Sequence, residues 1–191
     1  MPDSQAGPTL ELRRLTLAAL FLALGLVLPF FTGQIPQIGS MLLPMHLPIL
    51  LCGFVCGWRW GLGLGLLAPL LRSLLLGMPP LYPQALAMAG ELATYGALTG
   101  WLMGAHPWRD WGRLYRSLLG AMLAGRLAWG ALMVFLLGLG PHGFGWSAFL
   151  AGALFNSLPG IILQLAIIPP LLVSLERAGW NRLPRAESEA A

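Results

Sequence analysis

The sequence predicts an all-α polytopic membrane protein with six transmembrane helices and both termini in the cytoplasm. Three observations carry this. Of 191 residues, 57% are hydrophobic and only 9% are charged, too few charges to cover the surface of a water-soluble domain. Apolar runs long enough to cross a bilayer recur along the whole chain. Arginines fall in every second connection between those runs, the bias that sets orientation in a membrane. No stretch is left for a soluble domain. Residues 1–191 therefore read as one membrane domain, with a cytoplasmic segment 1–13 and a cytoplasmic tail 176–191.

The first span, 15–31, follows Arg13 and Arg14. It is long and lacks an Ala-x-Ala end, so it reads as a span rather than a cleaved signal peptide. The second and third, 42–56 and 60–76, are short and glycine-rich, with Arg59 between them. Gly57 to Gly65 reads as a tight turn or as the packed start of a helix. Cys52 and Cys56 lie one helical turn apart without further metal ligands nearby. They read as small residues of a packed helix, and neither a metal nor a cofactor is expected. The fourth and fifth spans, 83–104 and 114–138, flank Arg109, Arg113 and Arg116. The sixth, 147–175, is long, and Pro169-Pro170 should kink or break its end. Arg177, Arg182 and Arg185 follow it.

The connections 32–41, 77–82 and 139–146 contain no Arg or Lys, so they lie outside. Trp58, Trp60, Trp101, Trp108 and Trp111 flank the cytoplasmic ends as an interfacial belt. The formal charge is +4. Its distribution points to membrane lipid as the partner and not to nucleic acid. The outer loops "TGQIPQIGS" and "GMPPLYP" read as shaped caps or as ordinary turns.

Arg72, Glu91 and Arg126 remain inside the spans. Each costs a few kcal/mol at mid-bilayer and belongs in a bundle interior or a cavity. At about 1.5 Å per residue, Arg72 lies about 8 Å from the outer face and Glu91 about 12 Å. Arg126 comes out at about 12 Å and Asn156 at about 14 Å by the same rise. Four polar groups on four helices thus share the outer half. Tyr95 lies on the Glu91 face and Trp129 on the Arg126 face, at helical spacing. Asn156, Gly160 and Gln164 form a stripe on the sixth span. His46, near the outer end of the second span, reads as a ligand contact or a packing residue. The trio reads either as an Arg–Glu–Arg network fixing helix packing or as an anion site. Its net positive charge calls for an anionic ligand such as a carboxylate.

The chain lacks a Gly-x-x-x-x-Gly-Lys phosphate loop, a His-Glu-x-x-His motif and a Gly-x-Ser-x-Gly setting for Ser157. No ATPase or enzyme activity of its own is expected. Polarity stops halfway across the membrane, which suits a binding cup and not a channel.

The stretches "LPMHLPILLCGFVCG", "PLLRSLLLGMPPLYP", "AMAGELATYG" and "NSLPGIILQ" resemble substrate-binding S components of energy-coupling factor (ECF) vitamin transporters. They look most like the pantothenate branch. The resemblance covers residues 12–175. It implies a prokaryotic plasma-membrane, multi-pass S component that captures a small-molecule vitamin from outside. Its partners would be an ECF coupling subunit and two cytoplasmic ATPases. Ala19 and Ala23 match the family's Ala-x-x-x-Ala docking helix. In the pantothenate reading Arg72 or Arg126 would hold the carboxylate. Glu91 would orient an arginine or accept a proton, Asn156 and Tyr95 would bond amide or hydroxyls, and Trp129 would supply apolar wall. The alternatives are an S component for a pyridoxine-like or pyrimidine compound, a small membrane enzyme using Glu91, and a structural assembly subunit.

Overall fold

Helices are the only regular structure among the described residues of the computed structural model, which are 6–32, 42–104, 106–138, 145–152 and 157–178. A chain this apolar satisfies its backbone within each segment. α1 runs Ala6–Val27 and tightens into a 3₁₀ turn, Leu28–Thr32, at Pro29. α2 is His46–Cys56, α3 Trp58–Leu76 and α4 Leu86–Met103, the last entered through a π turn, Leu81–Ala85. α5 is Trp111–Leu137, α6 Trp146–Leu150 and α7 Leu158–Arg177.

Four stretches are long and apolar enough to cross a membrane: Leu10–Phe31, Trp58–Leu76, Trp111–Leu137 and Leu158–Arg177. These fall on the first, third, fifth and sixth expected spans. The second is the 11-residue α2 and the fourth is the 18-residue α4. Both readings of Gly57 to Gly65 hold in part: the turn is Gly57 alone, and from Trp58 on the stretch is the packed start of a helix. Gly57 takes φ +97, a conformation that L side chains rarely adopt, and α3 starts at the next residue.

The sixth span holds α6 and α7. α6 lies at its start and α7 begins at Leu158, with residues 153–156 outside the described residues. Its end does not break at Pro169-Pro170, because α7 runs on to Arg177. Pro169 has no N–H for the carbonyl of Leu165. The Tyr115 hydroxyl on α5 points at that oxygen from 3.5 Å. A neighbouring helix thus helps to re-satisfy the freed backbone, as membrane helices with interior prolines require.

α4 packs against α2, α3 and α5. Contact with α3 is backbone to backbone. A Cβ on Gly61 would strike the Gly96 carbonyl, and one on Gly65 would strike the backbone of Leu92. Small residues here permit the close approach that replaces hydrophobic drive between membrane helices. Chain direction alternates, so the start of α2, the end of α3 and the start of α4 meet at one end. The start of α1, Gly57 and Gly100 gather at the other.

Candidate functional site

Glu91 lies on the second turn of α4, and the central position of that helix leaves it only 2% exposed. A carboxylate so buried needs partners. Three converge on its Oε1. Arg126 of α5 donates from Nη1 at 2.9 Å. Tyr95, one turn along α4, donates its hydroxyl at 3.1 Å. His46, the first residue of α2, brings Nε2 to 3.4 Å. The His46 and Tyr95 rings sit 5.3 Å apart at 60°. A Cβ on Gly125 would overlap the Tyr95 ring, so the absence of a side chain there makes room for the tyrosine.

The cluster keeps spare hydrogen-bonding capacity. Nε and Nη2 of Arg126 are buried without a hydrogen-bond partner among the described residues, and so is Nδ1 of His46. Buried donors are rarely left so, because each costs about 1–3 kcal/mol. Nε and Nη2 form one complete edge of the guanidinium, a fork that meets a carboxylate with two parallel bonds. The opposite side of the same group is already held by Glu91. Gln164 of α7, 1% exposed, reaches the Leu43 carbonyl at 3.5 Å, and that carbonyl also accepts the His46 backbone N–H at 3.0 Å. α7 is thereby tied to the backbone that presents His46. The sequence places Gln164 on the Asn156 stripe, but nothing local links it to His46.

Arg72 is buried elsewhere. Its Nη1 donates to the Leu26 carbonyl at 2.9 Å, and its guanidinium lies 5.6 Å over the Phe30 ring. Leu26 is among the last four α1 carbonyls, which lack intrahelical donors. Arg72 thus caps α1, and no carboxylate among the described residues pairs with it. Trp129, one turn from Arg126, stacks on Phe149 at 6.4 Å, and Phe149 stacks on Trp146 at 5.4 Å. With Ala87 and Met133 it forms a satellite apolar cluster that seats α6 on α5. Asn156 lies outside the described residues. Ala19 and Ala23 are exposed on one face of α1, with Ala23 within one turn of the Leu26 carbonyl that Arg72 caps. Among the described residues no three His, Cys, Asp or Glu gather as a metal set.

Glu91, Arg126, His46 and Tyr95 therefore make one site, a half-satisfied arginine backed by a carboxylate. The open guanidinium edge has the geometry to take an anion. Searches of curated proteins and of solved structures gave no match. The family of the ECF transporter substrate-specific component matches residues 13–172, and the chain belongs to it.

Proposed function

We propose that this ECF substrate-specific component binds a carboxylate vitamin, with pantothenate favoured, between α2, α4 and α5. Family membership supports a membrane protein of vitamin-type uptake, a substrate-binding transporter subunit of a kind that is generally not an enzyme. The open Nε–Nη2 edge of Arg126 carries the ligand assignment. Arg126 takes the carboxylate, Glu91 and Tyr95 hold the guanidinium and its counter-ion in place, and His46 Nδ1 serves a hydroxyl or amide. Arg72 keeps α1 on α3 and so shapes the pocket without touching the carboxylate. Asn156 and Trp129 remain contacts proposed on depth and chemistry, for the amide and the apolar wall.

The chain crosses the plasma membrane six times in this reading, as one domain with both termini inside. The Arg-free loops then lie outside, which puts the Glu91 cluster in the outer half. Ala19 and Ala23 offer a small-residue face for an ECF coupling subunit carrying two ATPases. Purified protein and tritiated pantothenate test the proposal. Saturable binding that is lost in Arg126→Ala supports it. Absent binding, or binding unchanged in both Arg126→Ala and Arg72→Ala, ends it. Released small molecules identified as a neutral vitamin would make the charged cluster structural.

A further inference from the structure

Among the described residues Leu43 alone, glycines aside, takes a positive φ, +51. L side chains rarely adopt that conformation. Leu43 also precedes Pro44, and a proline ring narrows the backbone choices of the residue before it. Strain of this kind persists only where the surroundings over-determine it, and it gathers at functional sites. Two donors meet the Leu43 carbonyl. The backbone N–H of His46 donates to it at 3.0 Å, and the side-chain amide of Gln164 donates at 3.5 Å. The first bond is local. The second comes from α7, 121 residues away along the chain.

Gln164 is 1% exposed, and its one hydrogen bond among the described residues is long. Its neighbours in α7 are Leu163 and Leu165. A leucine would fill the place without burying a half-satisfied amide, so packing alone does not account for the glutamine. The bond reaches past Leu43 to the site. His46 opens α2 three residues later, so the turn that aims the helix also aims the ring. Nε2 sits 3.4 Å from Glu91 Oε1, and the ring lies 5.3 Å from that of Tyr95. If Leu43 relaxed to an ordinary negative φ, its carbonyl would leave both donors. The first turn of α2 would then re-form in another orientation.

We propose that Gln164 is a positioning residue: through the Leu43 carbonyl it locks the strained turn that sets the His46 ring beside Glu91. α7 thereby takes part in the site without touching the ligand. The effect on ligand affinity rests on the carboxylate reading above, and the effect on His46 does not. The chain has three histidines, so ring-nitrogen magnetic resonance of histidine-labelled full chain resolves His46, assigned by loss of its signals in His46→Gln. Gln164→Met keeps the length of the side chain and removes the donor. In ligand-free protein it should shift the His46 ring signals and leave those of His106 in place. Leu43→Asn added to it should bring them back, because asparagine enters a positive φ far more readily than leucine. Tritiated pantothenate gives the second readout. Gln164→Met should weaken binding about fivefold, and Gln164→Met with His46→Ala should lose no more than His46→Ala alone. His46 signals that stay put in Gln164→Met overturn the proposal. So do signals that move and do not return with Leu43→Asn, which would make Gln164 a packing support, and so do binding losses that add. A wild type that binds no pantothenate ends the carboxylate reading, and the His46 signals still decide the clamp.

Discussion

Replacing Arg126 with methionine separates what this arginine does for the fold from what it does for a ligand. In the fold, Nη1 sits 2.9 Å from Glu91 Oε1, and the glutamate is 2% exposed. Removing the cation leaves a buried carboxylate short of its charge partner, a loss of about 3–5 kcal/mol. At the ligand, two charge-assisted bonds from Nε and Nη2 disappear, each worth about 1.5–3 kcal/mol. The smaller sum, about 3 kcal/mol, is already a factor of more than about 100 in affinity. Glu91→Gln added to Arg126→Met removes the uncompensated charge, so stability should return while binding stays lost. Arg126→Lys keeps the charge but not the fork and should bind about tenfold more weakly. Thermal unfolding of ligand-free protein reads the first effect, and equilibrium binding of tritiated pantothenate reads the second. If the double variant regains affinity together with stability, Arg126 serves packing alone and the carboxylate assignment is wrong.

Three further outcomes follow from the same geometry. Arg72→Met should cost about 1.5–3 kcal/mol in chemical denaturation, from the lost cap on Leu26, and should change affinity less than threefold. A drop equal to that of Arg126→Met would move the carboxylate to Arg72. Gly125→Val should place a branched side chain into the Tyr95 ring, costing about 1–3 kcal/mol by overpacking; an unchanged unfolding midpoint would show that the ring has room to retreat. Ala19→Leu with Ala23→Leu should reduce coupling-subunit recovery at least about tenfold in pull-downs, with vitamin binding intact, and normal recovery would place docking on another face.

Helix positions were legible in the sequence because hydropathy and length are local. Four of the six expected spans are long apolar helices, and α2 and α4 occupy the other two. Position along a helix axis also follows from the sequence, since rise per residue is constant. Depth alone grouped Arg72 with Glu91 and Arg126. Rotation about the helix axis separates them, sending Arg72 to the end of α1 and Arg126 to Glu91. Nothing within α3 records that rotation, because it is decided by glycines on two different helices meeting face to face. The same limit applies to His46, whose reading stayed open between ligand contact and packing. Its ring reaches Glu91 only because α2 starts beside the second turn of α4. The unbroken α7 was hidden for a similar reason. Pro169 predicts a kink or a break from its own chemistry, whereas the hydroxyl aimed at the freed carbonyl belongs to Tyr115, 50 residues away along the chain.

The glycine contacts also bear on how such a molecule can move. Between α3 and α4, Gly61 meets Gly96 and Gly65 meets Leu92 with no side chain in between. Gly53 of α2 meets the Gly96 carbonyl beside the Thr99 hydroxyl, and Gly100 meets the backbone of Trp58. Ordinary helix pairs slide a little because side-chain rotamers yield between them. Here there is no compliant layer to yield. The three helices form a stiff beam with His46 and Glu91 at one end and Gly57 at the other. Sliding within it would drive backbone against backbone at Gly61, Gly65 and Gly96.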